Sequence, residues 1–163
     1  MKRNEPNGAK IREESKVPRI YLDVCCLNRP FDDQTQPRIH LEAEAILVIL
    51  NQCKSGGWEW ISSEVVELEI SRTPDPEQRR RVQLLASNAH HIIVVGKSEI
   101  ERAQEFEAWG ISAYDALHLA CAERGNAEIF LTTDDKLLKK SIAHAKQLRV
   151  RVENPLAWLN RRS

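Results

Sequence analysis

Two hydrophobic rhythms alternate along this chain. Short apolar runs rich in β-branched and aromatic residues predict strands at Arg19 to Val24, Trp58 to Ser62, His91 to Val95, Glu128 to Thr132 and Arg149 to Glu153. The stretches between them carry apolar residues three and four apart, the helical spacing. From Pro37 to Lys54, residues Ile39, Ile46, Ile49, Leu50 and Cys53 share one face, and Gly56-Gly57 ends the helix. Ser63 is placed to cap a helix through Val65, Val66, Glu69 and Ile70, which Thr73-Pro74 breaks. Asp75, with Pro76 at the first helical position, starts another through Leu84 and Leu85. Ser98 and Glu101 predict a capping box for a helix that stops at Gly110. Ser112 and Asp115 open the next, which runs to Gly125, and Asp134 or Asp135 begins one carrying Leu137, Leu138 and Ile142. A short terminal helix follows Pro155. Asn28, Pro30, Asp32 and Asp33 supply turn chemistry after the first strand.

Strands alternating with helices predict an α/β fold: a Rossmann-like three-layer sandwich around a mostly parallel five-stranded sheet. The unbroken apolar run His91 to Val95 is of the kind expected inside a parallel sheet. The polar, aperiodic residues 1–17 predict a flexible leader, leaving 18–163 as one domain. At 163 residues the chain is long enough for a real core without staples. Lys plus Arg (24) equals Asp plus Glu (24), so the overall field favours no polyanion, and nucleic acid would need a local basic patch. No apolar run approaches the ~20 residues that span a bilayer, and no apolar core follows the charged start, so neither a membrane span nor a secretory signal is expected. Cys25, Cys26, Cys53 and Cys121 form no Cys-x-x-Cys pair, which predicts reduced, buried thiols in a cytoplasmic protein.

In such sheets, sites lie beyond the carboxyl ends of the strands. Asp23 ends the first strand, Asp134 follows the fourth, Asp115 sits in the first turn of the helix feeding the fourth, and Glu69 lies on the helix after the second. Four separated acids are thus expected to converge on one corner of the sheet. Clustered carboxylates repel one another unless a cation neutralises them. Hard Mg²⁺ or Mn²⁺ suits such oxygen donors and promotes phosphodiester hydrolysis by activating water and balancing charge on the leaving oxygen. Plainer roles compete: Asp115 as a capping-box acid, Asp134 as an N-cap, Glu69 as a solvated helix charge. Asp23, at the end of a central strand, is the hardest to leave without a partner or an ion. Glu42 and Glu44 are alternative cleft residues, with a solvated face the expectation. His118, one turn beyond Asp115, is placed to touch the metal's outer shell or a substrate phosphate. The favoured reading is a packing histidine beside Leu117 and Leu119, and it is not expected to catalyse.

The sequence resembles the PIN-domain ribonucleases, including VapC-type toxins, through Tyr-Leu-Asp at 21–23, Ser-Glu-Val-Val-Glu-Leu-Glu-Ile at 63–70, Tyr-Asp-Ala-Leu-His-Leu-Ala at 114–120 and Leu-Thr-Thr-Asp-Asp at 131–135. The resemblance runs from Arg19 to about Leu159. It implies catalytic roles for Asp23, Glu69, Asp115 and Asp134, with Asp23, Asp115 and Asp134 as ligands of Mg²⁺ or Mn²⁺ and Thr132 in support. Family members often have Thr, Ser or Asn just after the first Asp; this chain has Val24, Cys25 and Cys26, and Asn28 is the expected substitute. Glu67 and Glu69 lie about 200° apart on a helix, so only one faces the cleft. The resemblance further implies an RNA substrate, a small antitoxin partner and a homodimer. Arg72, Arg79-Arg80-Arg81 and Lys136 with Lys139 and Lys140 are the candidate phosphate contacts, against the plainer reading of solvated faces. The alternatives are a receiver-like signalling domain, for which the third strand offers no acceptor Asp, and a PIN-like interaction module without catalysis.

Overall fold

The structure, a computed structural model, describes residues 17–162. The expected leader at 1–17 therefore lies outside the described residues, Val17 excepted. In chain order the elements are β1 (Arg19–Leu22), α1 (Val24–Asn28), a 3₁₀ turn (Arg29–Phe31), α2 (Pro37–Lys54), β2 (Glu59–Ser63), α3 (Glu64–Ser71), α4 (Pro76–Ala86), β3 (His91–Ile93), α5 (Lys97–Glu107), α6 (Ala113–Arg124), β4 (Ile129–Leu131), α7 (Asp135–Ala143), β5 (Arg151–Glu153) and α8 (Pro155–Arg162). The expected α/β sandwich with a five-stranded sheet is present.

The strand order is β3-β2-β1-β4-β5, and every pairing is parallel. The chain steps one way from β1 to β3, then returns to the far side of β1 with β4 and β5. Right-handed crossovers place the two sets of connections on opposite faces. On one, α2 packs with α8; on the other, α5 packs with α6. The reversal falls between β1 and β4, where a crevice opens at the carboxyl ends. The ladder continues into that crevice, because Asp23 N–H donates to Leu131 O at 3.0 Å and Thr132 N–H donates to Glu153 O at 3.0 Å.

The central strands are buried from Ile20 to Leu22 and Ile129 to Leu131, and Tyr21 stacks on its register partner Phe130 at 5.2 Å. Local signals set most helix starts. Ser63 Oγ accepts from Val65 and Val66 N–H, Asp75 from Glu77 N–H, Ser112 from Asp115 N–H, and Asp134 from Lys136 and Leu137 N–H.

Four expectations are corrected. The run His91 to Val95 is not an interior strand: β3 is three residues at the sheet edge, with Val94 68% exposed. An apolar run reports affinity for a sheet, not the number of neighbours it finds there. The segment after β1 is not a turn at once, since Asp23 caps α1 by accepting from Val24 N–H and the chain helices through Asn28. The helix before Gly110 begins at Lys97, so Glu99, not Glu101, closes its first turn by accepting from Gly96 N–H at 2.8 Å. Helix α4 buries Val82 and Ala86 and leaves Leu84 exposed. Among the described residues, no helix is long and apolar enough to cross a membrane.

Candidate metal centre

Asp23 leaves β1 almost fully buried, 4% exposed. Its Oδ1 accepts from Val24 N–H at 2.8 Å, and its Oδ2 accepts from the Thr132 hydroxyl at 2.7 Å and the Cys25 thiol at 3.3 Å. Thr132 itself accepts from Asp134 N–H at 3.1 Å, tying the ends of β1 and β4 together. Cys25 Sγ also accepts from Thr133 N–H at 3.3 Å. The hydroxyl expected beside Asp23 thus comes from Thr132, with a thiol alongside. Asn28 is engaged elsewhere, its carboxamide oxygen accepting from Gln78 at 3.1 Å.

Asp115 and Asp134 line one depression together with Gly110, Ser112, Lys136 and Lys140. Asp134 spends Oδ1 on its N-cap bonds, which leaves Oδ2 available, so capping and ligation do not exclude each other. Its neighbour Asp135 is turned away into an ion pair with both terminal nitrogens of Arg38, at 2.8 and 2.9 Å. Burial pushes the Asp115 carboxyl up to about 6, and the charges of Asp23 and, more weakly, Asp134 push the same way. Asp115 is therefore within electrostatic reach of both.

Glu69 is the glutamate on this side. Its Oε1 lies 2.7 Å from His118 Nε2, whereas Glu67 is exposed beside Gln83 on another surface. Ligand atoms of Asp23, Glu69 and His118 all lie within 4.8 Å of one another, the one such trio among the described residues. The structure does not bring Asp23, Asp115 and Asp134 into an equally tight group; the last two stand further out. His118 is 0% exposed and does more than pack, since both ring nitrogens are bonded, Nδ1 to Tyr21 Oη at 2.7 Å. Burial pushes the His118 pKa down, but the bond to Glu69 and the nearby acids outweigh it, and the net shift is upward. Its place one turn after Asp115 was the available signal. For Cys25 there was none, because its role depends on a helix that the sequence presented as a turn.

Glu42 neither lines the cleft nor faces solvent as expected. It is 1% exposed and accepts from Arg29 Nε at 2.8 Å, Arg38 Nε at 3.0 Å and Asn154 Nδ2 at 2.6 Å, while Glu44 is exposed. Glu42→Gln leaves Arg29 short of its buried counter-charge. It is expected to lower unfolding stability by about 1–3 kcal/mol in urea titrations. Of the basic candidates, Arg80 and Arg81 pair with Glu77 on their own helix and Arg79 donates to Thr73 O. Arg72 lies over the Tyr114 ring at 5.9 Å, and Lys140 donates to Gly110 O.

The donors fit a hard divalent cation: carboxylates on adjacent strand and helix ends, with an interior hydroxyl fixing the most buried one. Several solved structures resemble this chain. Among them are DNA-bound VapBC from Salmonella typhimurium (TM-score 0.56, 14% identity, 85% of this chain and 99% of that one), VapBC-1 from nontypeable Haemophilus influenzae (0.52, 14%, 84% and 98%) and VapBC2 from Rickettsia felis bound to a promoter DNA fragment (0.51, 17%, 83% and 98%). The chain has no match among curated proteins. At these identities the likeness establishes the fold alone. The PIN-domain family model matches residues 20–143, a span that begins in β1 and takes in all four acids, and on that match the chain belongs to the PIN-domain family.

Proposed function

We propose that this protein is a metal-dependent endoribonuclease that hydrolyses RNA phosphodiester bonds, the toxin of a pair neutralised by a small antitoxin. The observation that carries the reading is the gathering of acids beyond β1 and β4: ligand atoms of Asp23, Glu69 and His118 lie within 4.8 Å of one another, and Asp115 and Asp134 line one depression. Such a cluster is tolerable at neutral pH once a cation shares it. Asp23, Asp115 and Asp134 are the proposed ligands of Mg²⁺ or Mn²⁺, with Glu69 completing the site. When bound, the ion supplies neutralisation of phosphate charge and a more acidic water. The chain contributes the rest: Thr132 and Val24 N–H hold Asp23 in one orientation, and Asp134 is fixed by the helix it caps. The VapBC likeness supports an antitoxin partner, and a homodimer is adopted from the family resemblance. The receiver-like alternative loses support, since β3 stands at the sheet edge and the chain beyond it continues as Val94-Val95.

The test is cleavage of total cellular RNA by the purified chain, with Mg²⁺ or Mn²⁺ and with chelator. Metal-dependent products are expected, and intact RNA under every condition would end the reading. Lys136 and Lys140 border the same depression as Asp115 and Asp134 and are the proposed phosphate contacts. Lys136→Ala is expected to weaken RNA binding and to reduce the slope of log affinity against log salt by about 0.7. An unchanged slope in filter-binding titrations would place the RNA backbone elsewhere.

A further inference from the structure

A chain of short hydrogen bonds runs behind the acids, and the bonds at its Ser63 end favour one polarity. Ser63 Oγ accepts from Val65 N–H at 3.2 Å and Val66 N–H at 3.3 Å. With both lone pairs engaged, its own proton goes to Tyr21 Oη, 2.7 Å away. The phenolic proton is then free for His118 Nδ1, also at 2.7 Å. A ring nitrogen that accepts carries no proton, so the neutral imidazole is protonated on Nε2, which donates to Glu69 Oε1 at 2.7 Å. Ser63, Tyr21 and His118 are all 0% exposed. The relay starts at Ser63, the end of β2 and N-cap of α3, crosses β1 and α6, and returns to the last turn of α3.

We propose that Ser63, Tyr21 and His118 are positioning residues that hold one oxygen of Glu69, leaving the other for an ion beside Asp23. The proposal rests on the metal-dependent nuclease reading above. A glutamate has three rotors to immobilise, at an entropic cost, and Glu69 sits on a short helix with its side chain one-third exposed. Its holder is rigid by comparison. Tyr21 is stacked on Phe130 between the central strands and meets His118 edge-on at 5.8 Å. Both nitrogens of His118 are committed, which gives the ring one orientation and directs Nε2–H at Glu69. His118 here serves the site through Glu69 and is not itself an ion ligand. Partners of this kind fix ligand orientation, and their loss costs about 10–100-fold in metal affinity or activity.

Two measurements test this, one independent of activity. In ¹⁵N-histidine-labelled metal-free protein, titrated until the ring is neutral and with the resonance assigned through His118→Gln, the ring should show a bare Nδ1 and a protonated Nε2. Protonation on Nδ1 in that neutral ring overturns the relay. Calorimetric Mn²⁺ titration and RNA cleavage are then compared across variants. His118→Ala is expected to lose about 10–100-fold in Mn²⁺ affinity. His118→Gln, which can accept from Tyr21 and donate to Glu69, should recover most of it, and Tyr21→Phe should fall between. A folded His118→Ala, or a folded Tyr21→Phe if the alanine variant does not fold, that binds Mn²⁺ and cleaves like the parent overturns the positioning role. A parent that cleaves no RNA under any metal sinks the nuclease reading instead, while the tautomer still decides the relay.

Discussion

Asp115→Asn is expected to abolish metal-dependent RNA cleavage, by about 10³-fold or more, while making the metal-free protein more stable at neutral pH. Both effects have one cause. Burial, with Asp23 and Asp134 nearby, raises the Asp115 carboxyl from 3.8 to about 6 in the folded state. The native protein therefore holds this proton more tightly than the unfolded chain does. Its contribution to stability is fully present below about pH 4 and is lost as pH rises through 6. A two-unit shift corresponds to about 3 kcal/mol at most, and partial exposure reduces that to about 1–2 kcal/mol. Asn keeps the shape and removes the charge, so in chelator at pH 7 the variant should melt a few degrees above the parent. At pH 4 the difference should close. Asp23→Asn should likewise lose cleavage, but its carboxylate accepts bonds from Thr132 and Cys25, so no gain in stability is expected. An Asp115→Asn protein that cuts RNA as well as the parent would remove the acid from the site.

Mn²⁺ should raise the melting temperature of the wild-type protein, and the gain should shrink as pH falls through about 6. An ion at about 100 times its dissociation constant stabilises the folded state by about 2.7 kcal/mol, which is about 5–10 °C for a domain of this size. The proton and the ion compete for Asp115. As its carboxyl titrates near 6, acid both relieves the charge crowding and removes a ligand. Thermal melts with and without millimolar MnCl₂ at pH 7.5 and 5.5 make the comparison. A chelator should stop cleavage, and excess Mn²⁺ should restore it. Melting curves that ignore Mn²⁺ at pH 7.5 would mean that the acids face one another without holding an ion.

Much of the fold was legible because its signals are local. Ser63, Asp75, Ser112 and Asp134 cap the helices they precede, since an N-cap bonds to amides two or three residues away. The failures are informative for the same reason. Glu99 rather than Glu101 closes the first turn of α5 because the helix starts two residues sooner than Ser98 suggests. Asp23 turned the expected loop into α1 because a capping carboxylate was available to the first amide.

The sequence by itself determined the alternation of strands and helices, the caps at Ser63, Asp75, Ser112 and Asp134, and the placing of acids near the strand ends, all of which follow from periodicity and short-range hydrogen bonds. Tertiary structure alone decided what each charge meets. Glu42 and Glu69 are both helix glutamates, yet Glu42 is closed off by Arg29 and Arg38 while Glu69 meets His118, 49 residues away. Asp134 and Asp135 are adjacent, yet only Asp135 is taken by Arg38, 97 residues away. His118 could be placed on a helix from its neighbours, but its two partners lie on β1 and α3. The cost of a charge is set by the solvent it loses and the atoms that replace that solvent, and those atoms arrive from parts of the chain that no local window contains.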